Sequence, residues 1–578
     1  MSSKFKVQSS KSKVALIVAL AGALVCGRST AAELPGRYFR LMEAGITQVG
    51  ERLAAEPTAD LKGLEERPGW RHFPSAVLLA AVLYAKSHPA NSRHRDPGML
   101  SLAQRIGDLL AAEHQQGRYA TRLDHHRDTY MWLEAYRLLE RELGDERRER
   151  WRRALIDNLT PLATEVARRQ DYPWYQSPFI GTSPNHYSLW SSTLYLAGRV
   201  FGNPEWEKLG ARVMHRFAAE EQSPDGYWGE HTRAGPTTGY DYLTATGVAL
   251  YWEHSRDPAA LQALRRSTDF HKYYTYPDGT PVENINDRNR YWSVSMWGHF
   301  AFSHFPDGRR YAEFLTGFYP ADRISLESLG RIAQNALYFH QGPSAPIPQD
   351  QARYAHQMSV PAGIRKSGPW VVSLSGLIST QAATSRFYLD RQGSLSVFHQ
   401  KLGLIVTGAN SKRQPELATF SEKISGQVFH LPMSSRLQMS EQIDRLALAY
   451  NRFFSVLEVT PPSDERLEFR FLITPRGRIA DSQLTLQLCL KAGQTIETGA
   501  GRKVTLDATR IDWAPDDIGG WIRHNGWTLR VDPGARLAWP VYPFNPYADA
   551  PETALERAVG ALSVPLAPGA QQLSFLLE

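Results

Sequence analysis

The spacing of apolar residues changes once along this chain, and the change limits the folds that it can adopt. Between residues 35 and 340 apolar residues recur every three to four positions, which is the period of an amphipathic helix. Beyond residue 363 they alternate with polar residues or form short β-branched and aromatic runs, which is typical of strands. A chain of 578 residues divided in this way is predicted to form a helical domain followed by an antiparallel β domain.

Helix boundary signals support the first domain. Asp96-Pro97, Asn203-Pro204 and Asp257-Pro258 each place a capping side chain before a proline at the first helical position. Roughly ten to twelve helices joined by short connections favour antiparallel hairpins. Because the chain shows no repeat of about 34 or 40 residues, which a solenoid would have, we predict an α/α toroid or incomplete barrel over residues 33–341. Expected helices are Pro74–His88, Met99–Glu113, Asp128–Leu143, Arg147–Arg168, Tyr187–Val200, Trp206–Ala219 and Tyr242–His254.

A proline-rich stretch separates the two patterns. Residues 342–362 contain four prolines and are predicted to be a linker, and residues 363–578 are predicted to form an antiparallel β-sandwich. Expected strands are Trp370–Leu377, Arg386–Asp390, Leu395–His399, Leu402–Thr407, Phe453–Val459, Leu467–Ile473, Leu484–Leu490, Trp527–Val531 and Leu573–Leu577.

The first 32 residues have the three parts of a secretory signal peptide. Lysines precede an apolar run over residues 14–25, and small residues follow at 29–32. The apolar run is shorter than the roughly 20 residues that a membrane span needs. We therefore expect an exported protein, periplasmic or secreted, with no membrane insertion after cleavage.

Removal of that segment changes the charge and the cysteine count. Five of the net +7 charges lie within residues 1–32, so the remainder carries about +2 and offers no dense basic cluster. We expect no nucleic-acid partner. Of the two cysteines only Cys489 remains, which excludes a disulfide-stabilised scaffold.

Three loop segments combine aromatic and polar residues at helix ends. The first, residues 172–190, contains Trp174, Tyr175, Asn185, His186, Tyr187 and Trp190. Aromatic faces pack on sugar rings while amides direct hydrogen bonds, so the segment suits a sugar subsite. The alternative is that Asn185 caps a helix and that Tyr187 and Trp190 belong to the core.

The second segment, residues 223–242, is a glycine-containing loop that leads into a helix. It contains Trp228, Glu230, His231, Tyr240 and Tyr242. A histidine and a tyrosine held close together can act as base and acid. The alternative is that His231 is an ordinary loop histidine and that Tyr240 only begins the next helix.

The third segment, residues 278–292, alternates amides and charges. Arg288 and Arg290 could hold a carboxylate through bidentate hydrogen bonds, with Asn284 and Tyr291 beside them. The alternative is a solvated loop in which Asp287 pairs with an arginine. The histidines elsewhere show no metal-ligand spacing such as HExxH, so no metal or other cofactor is indicated, and the question of a structural metal stays open.

Together the segments resemble the chondroitin AC and hyaluronate lyase class of polysaccharide lyases, with heparinase II/III-like and alginate lyase relatives. The resemblance rests on Asp225-Gly226 followed by His231, on Tyr240 nine residues later, on Asn185 46 residues before His231, and on the Arg288 and Arg290 pair. It implies an incomplete toroid followed by antiparallel sheets. It also implies β-elimination on an acidic, uronic-acid-containing polysaccharide, leaving 4,5-unsaturated uronate ends.

The resemblance assigns roles to these residues. Asn185, with His186, would neutralise the uronate carboxylate; His231 or Tyr240 would take the C5 proton; Tyr240 would protonate the departing O4; and Arg288 would hold a carboxylate. Tyr242 competes with Tyr240 for the tyrosine role. The expected substrate contacts are His186, Trp174, Tyr175, Tyr187, Trp190, Trp228, Glu230, Tyr242, Asn284, Arg290 and Tyr291.

Two other functions are compatible with the same loops. An α/α-toroid glycoside hydrolase would need two carboxylates, which Asp225, Glu230, Asp241 and Asp287 could supply. A non-catalytic glycan-binding protein would use the aromatic residues alone. The polymer and the choice between endo and exo cleavage stay open.

Overall fold

A computed structural model describes most of the chain. It covers residues 34–56, 58–66, 72–115, 126–179, 181–229, 235–286, 294–319, 325–378, 394–408, 413–545 and 550–577. The predicted signal peptide and the predicted strand Arg386–Asp390 lie outside these residues.

The described part of the chain up to residue 338 is helical, as the apolar spacing predicts. Its α-helices are α1 (Leu34–Ala55), α2 (Leu61–Glu65), α3 (Ala76–Ala85), α4 (Pro97–Gln115), α5 (His126–Leu139), α6 (Asp145–Arg169), α7 (Pro184–Phe201), α8 (Pro204–Ala219), α9 (Thr238–Ser255), α10 (Pro258–Tyr273), α11 (His299–Phe302), α12 (Pro306–Thr316) and α13 (Leu326–Tyr338).

Six of these helices form a closed inner ring. In the order α3, α5, α7, α9, α11 and α13, each packs against the next, and α13 packs back against α3. An outer layer alternates with them along the chain, with α4, α6, α8 and α10 each in contact with the next. This double layer is the predicted α/α toroid, and the structure confirms it.

The inner helices run in the same direction, as a pair of contacts between α3 and α13 illustrates. Ser75 Oγ donates to the Leu326 carbonyl at 3.0 Å where the two helices begin. Lys86 Nζ donates to the Leu337 carbonyl at 3.0 Å where they end. The starts of the inner helices therefore meet at one end of the ring, the N-terminal face, and their last turns meet at the C-terminal face.

The second domain is a sandwich of two sheets with a further short helix, α14 (Pro515–Ile518). The pairings between its described strands are antiparallel. The strands are β1 (Arg353–Gln357), β2 (Ala362–Ser367), β3 (Trp370–Ser375), β4 (Ser394–His399), β5 (Gly403–Thr407), β6 (Phe420–Ile424), β7 (Gln427–Phe429), β8 (Ser434–Met439), β9 (Asp444–Ala449), β10 (Phe453–Val459), β11 (Arg466–Pro475), β12 (Ser482–Leu488), β13 (Thr495–Thr498), β14 (Lys503–Thr505), β15 (Ile511–Trp513), β16 (Trp521–His524), β17 (Trp527–Arg530), β18 (Arg536–Val541), β19 (Val559–Pro565) and β20 (Gly569–Leu577).

The two sheets share one apolar core. The first has the order β1-β2-β3-β4-β5-β12-β19-β18-β15, with β6 and β7 attached to β12, and the second has the order β14-β13-β16-β17-β20-β11-β10-β9-β8. Trp370 and Leu395 of the first sheet and Phe469 and Phe575 of the second belong to the same buried cluster. The predicted antiparallel β-sandwich is confirmed.

One boundary differs from the expectation. The strand β1 lies inside the predicted linker 342–362 and pairs with β2 from Arg353 onwards, so the first sheet begins ten residues early. Its sequence, Arg-Tyr-Ala-His-Gln, has no apolar alternation, because β1 is an edge strand whose residues alternate between exposed and partly buried.

The two domains share a second apolar cluster. Tyr227, Phe270 and Tyr276 of the helical domain pack with Ile364 and Phe398 of the first sheet. The Tyr276 and Phe398 rings stack with their centroids 4.8 Å apart. Within the described residues no helix is both long enough and apolar enough to cross a membrane.

Candidate active site

Asn185 lies in the first turn of α7, at the N-terminal face of the ring. The helix begins at Pro184, a favoured first helical residue, after an extended Ser183. The Asn185 side chain is buried, and its Oδ1 accepts a 2.6 Å hydrogen bond from Ser183 Oγ. This hydrogen bond from Ser183 fixes the orientation of the Asn185 amide.

The helices α7 and α9 are close neighbours and run parallel. Gly247 of α9 faces Ser188 of α7 so closely that a Cβ at position 247 would lie 2.6 Å from Ser188 Oγ. At their last turns Arg199 donates to the His254 carbonyl at 2.5 Å. The start of α9, with Tyr240, therefore lies at the same face as Asn185.

The two candidate tyrosines on α9 have different surroundings. Tyr240 is half-buried and lies near the start of the helix. Tyr242 is fully buried: its hydroxyl lies 2.5 Å from that of Tyr311, and its ring is 3.9 Å from the His271 ring. Burial raises the pKa of Tyr242 to about 12. In this structure Tyr242 is therefore a core residue and Tyr240 is the accessible tyrosine, while the predicted substrate contact by Tyr242 stays a prediction.

The loop before α9 is anchored at both of its described ends. Gly229 and Pro236 form an antiparallel bridge, and the Trp228 backbone N–H donates to Asp241 Oδ1 at 2.8 Å. Asp241 is buried, which raises its pKa, and its Oδ2 lies 3.1 Å from His271 Nε2. Glu230 and His231, between the anchored ends, lie outside the described residues, so their predicted roles stay predictions.

Several aromatic residues expected to contact sugar are instead core residues. Trp228 stacks on Phe217 at 5.4 Å, and Tyr187 packs edge-on against the same ring. Trp174 donates its backbone N–H to the buried Glu221 at 2.7 Å. Trp174, Tyr187, Trp190 and Trp228 are each at most 4% exposed, so in this structure their rings are packed against protein, and their predicted sugar contacts stay predictions.

Two residues of the first segment keep partial exposure. Tyr175 is half-buried against Trp174, and His186 is half-buried with its ring stacked on Trp190 at 5.7 Å. The predicted substrate contacts by Tyr175 and His186 are compatible with these positions.

The third segment fastens the two domains together. Asn284 donates to the Ser373 carbonyl at 2.9 Å and accepts from Ser373 Oγ at 2.8 Å, and it is 1% exposed. Asn284 therefore contacts β3 in this structure, and its predicted substrate contact stays a prediction. The other predicted residues of this segment, Arg288, Arg290 and Tyr291, lie outside the described residues.

Two arginines that sequence analysis did not single out lie near the candidate site. The Arg169 side chain is buried, its guanidinium carbon lies 5.4 Å from the Trp190 ring, and its Nε donates to Thr182 at 2.8 Å. Arg331, on α13, stacks on Trp297 at 3.4 Å. Both lie on regular helices and carry no motif, so only their tertiary neighbours distinguish them.

A small cavity inside the ring lies one turn below Asn185 and Tyr240. Leu189 and Leu243, one turn along α7 and α9, line it together with Trp297 and Arg331. The wall of the cavity therefore contains the positive charge of Arg331, beneath the N-terminal face.

The direction of the inner helices gives the N-terminal face its electrostatic character. The first turns of a helix carry unpaired N–H groups and a partial positive charge, which favour a bound anion. The starts of α7 and α9 are therefore suited to bind an acidic group, although the net charge of the chain is small.

Comparisons with known proteins show what this chain is similar to. Neither a protein-family profile nor a curated protein sequence matches it. The chondroitin AC lyase of Streptomyces coelicolor A3, in complex with chondroitin sulphate, aligns over 94% of this chain and 82% of its own, with a TM-score of 0.53 and 12% identity. A tyrosine-to-alanine mutant of that lyase aligns over 95% and 83%, with a TM-score of 0.51 and 11% identity. The chain thus has the toroid and β-sandwich fold of these polysaccharide lyases.

Proposed function

We propose that this protein is a polysaccharide lyase that cleaves a uronic-acid-containing polymer by β-elimination and leaves 4,5-unsaturated uronate ends. The observation that carries the proposal is the position of Asn185 and the accessible Tyr240 on neighbouring helix starts, at the N-terminal face of the toroid. The shared fold with a chondroitin AC lyase supports it.

The chemistry requires stabilisation of charge beside the proton that is removed. The C5 proton of a uronate is weakly acidic, and its removal becomes feasible when hydrogen bonds neutralise the adjacent carboxylate. In our proposal Asn185, with the helix starts behind it, holds that carboxylate. His231 or Tyr240 takes the C5 proton, Tyr240 protonates O4 as the C4–O4 bond breaks, and Arg288 and Arg290 hold carboxylates.

The described carboxylates give less support to a glycoside hydrolase. Both oxygens of Asp225 accept 2.7 Å hydrogen bonds from Ser359 of the β domain. Asp241 is buried against Trp228 and His271. Two of the four carboxylates considered for hydrolysis are thus engaged in structural contacts.

The first prediction separates the two tyrosines. Tyr240→Phe should lower kcat/KM on a cleaved uronate polymer by at least about a hundredfold, because it removes the general acid. Tyr242→Phe is the matched control and should keep most activity, because its hydroxyl faces Tyr311 in the core. The measurement is the ultraviolet absorbance of the unsaturated product, recorded on alginate, glucuronan, hyaluronan, chondroitin and heparin-like polymers.

The possible outcomes distinguish the functions. Shortening of a polymer with no ultraviolet product would favour a hydrolase, and binding with unchanged chain length would favour a glycan-binding protein. Full activity of Tyr240→Phe, with loss of activity in a well-folded Tyr242→Phe, would overturn the assignment of Tyr240.

We also propose that the protein is exported and that residues 1–32 are removed. The charged, apolar and small-residue parts of that segment support this proposal. N-terminal sequencing of the mature protein should begin near residue 33, and an intact N-terminus in the cell would contradict it.

A further inference from the structure

Three potential metal ligands converge at the C-terminal face of the ring. Glu253 lies in the last turn of α9, His304 lies between α11 and α12, and His340 follows α13. Glu253 Oε1 lies 2.6 Å from His340 Nε2 and 3.7 Å from His304 Nε2, and the three ligand atoms lie within 4.8 Å of one another.

The His304 imidazole is buried with an unsatisfied nitrogen. Its side chain is 3% exposed, and its Nε2 has no hydrogen-bond partner among the described residues. A buried polar atom without a partner destabilises the fold, because its lost hydrogen bond to water is not replaced. The atom points to the cluster, so a group bound between the three side chains would satisfy it.

We propose that Glu253, His304 and His340 bind one divalent transition-metal ion, best matched by Zn²⁺, with water as the fourth ligand. Two imidazoles and one carboxylate form a ligand set that zinc accepts, whereas Mg²⁺ and Ca²⁺ prefer oxygen ligands.

The distances between the ligand atoms need only small changes for the three side chains to coordinate one ion. Zinc bonds of about 2.0–2.2 Å place tetrahedral ligand atoms roughly 3.3 Å apart. The observed separations of 2.6 Å and 3.7 Å lie on either side of that value. Zinc would replace the Glu253–His340 hydrogen bond and give His304 a partner.

Neighbouring groups hold the ligands in place. Arg256 lies 3.3 Å from Glu253 Oε2, which leaves Oε1 facing the two histidines. The His340 backbone N–H donates to Ser303 Oγ at 2.9 Å. Such second contacts orient the ligands of metal sites. The last turns of helices carry partial negative charge, which also favours a cation at this face.

The proposed site is separate from the candidate active site. Glu253 and Tyr240 are thirteen residues apart on α9, which corresponds to about 20 Å along a helix. The ion would therefore fasten three inner helices at the start of the connection to β1 and take no part in catalysis. The inference does not depend on the proposed function.

The test uses the full chain, freed of metal with a chelator and titrated with Zn²⁺ alone. We expect one zinc per chain by mass spectrometric metal analysis, and a rise in Tm on loading. His340→Gln and Glu253→Gln should each weaken zinc binding at least tenfold and abolish the Tm rise. His215→Gln is the control, because His215 pairs only with Asp257, at 2.8 Å, and belongs to no three-ligand cluster among the described residues.

A second measurement needs no variant. Cobalt(II) in the same site should give the visible absorption of a four-coordinate centre with nitrogen and oxygen ligands. Zinc binding below one equivalent per chain, equal binding by His340→Gln, or a six-coordinate cobalt spectrum would each overturn the proposal.

Discussion

At the scale of single residues, burial separates accessible side chains from core side chains that look alike in the sequence. Tyr240 and Tyr242 are two positions apart on α9, yet only Tyr242 has its hydroxyl inside the protein, against Tyr311. Trp174, Trp190 and Trp228 are all in motif-like segments but are packed in the core. The Tyr240→Phe experiment therefore tests the one tyrosine of the pair that a substrate could reach.

Glu134 provides a second test at this scale, because it is a fully buried carboxylate inside the ring. His254 Nε2 lies 3.0 Å from its Oε1, Tyr130 donates to the same oxygen at 2.8 Å, and Arg137 donates to Oε2 at 2.8 Å. Burial alone would raise the pKa of Glu134, but the hydrogen bond from His254, the charges of Arg137 and His254 and the hydrogen bond from Tyr338 lower it to about 2.

The lowered pKa predicts how stability depends on pH. The ionised carboxylate stabilises the fold above its unfolded pKa of about 4.5, and this contribution disappears as pH falls towards 2. Glu134→Gln should therefore cost about 3 kcal/mol of unfolding free energy at pH 7 and much less near pH 2 to 3. Denaturant titrations at several pH values measure this difference, and a pH-independent cost would contradict it.

At the scale of elements, the candidate site depends on how closely α7 and α9 approach. The approach is possible because position 247 has no side chain: a Cβ there would lie 2.9 Å from the Ser188 carbonyl carbon, which is part of the backbone. The glycine is thus a packing requirement, and the parallel arrangement it permits brings Asn185 and Tyr240 to one face.

We expect Gly247→Ala to separate the two helices. The substitution should lower the unfolding free energy by about 1–3 kcal/mol and reduce the proposed lyase activity, because the candidate site residues move apart. Gly50→Ala in α1 is the matched control, since nothing lies within 4 Å of its added Cβ, and it should be neutral or stabilising. Thermal unfolding and the ultraviolet assay measure both effects; equal Tm values for the two variants would argue against the close-approach explanation.

At the scale of the whole molecule, a buried carboxylate joins the toroid to the sandwich. Glu283 is 3% exposed; its Oε1 accepts from Ser396 at 2.5 Å and from Thr407 at 3.2 Å, and its Oε2 accepts from Tyr276 at 2.9 Å. Together with Asn284, which forms hydrogen bonds with Ser373 of β3, it makes the domain contact polar and directional.

Loss of these contacts should make the domains unfold separately. Glu283→Ala combined with Asn284→Ala leaves buried donors unpaired, at a cost of about 3 kcal/mol or more. Calorimetry should show the wild-type transition broaden or split into two. The exposed Glu416→Ala is the control and should leave the transition unchanged. A single unshifted transition in the double variant would contradict the role of Glu283 in domain contact.

The sequence by itself determined the two-domain organisation, because apolar periodicity reports directly which face of each helix or strand is buried. It predicted α7 and α9 within a few residues and β10 at its observed bounds, Phe453–Val459. It also identified the segments with Asn185 and Tyr240, since polar residues at helix starts have a local signature. It predicted no strand for β1, an edge strand without apolar alternation, and none for β2, β6 to β9, β13 to β16, β18 and β19.

The tertiary structure decided which residues meet. Glu253, His304 and His340 are 51 and 36 positions apart, so no motif marks them, and only the closed ring brings them together. The same holds for the burial of Tyr242, for the pairing of Asn284 with Ser373, and for Arg331 beneath the N-terminal face. The physical reason is that the local pattern of apolar residues determines which face of each helix or strand is buried. Contacts between residues far apart in the sequence depend instead on how all the elements pack together.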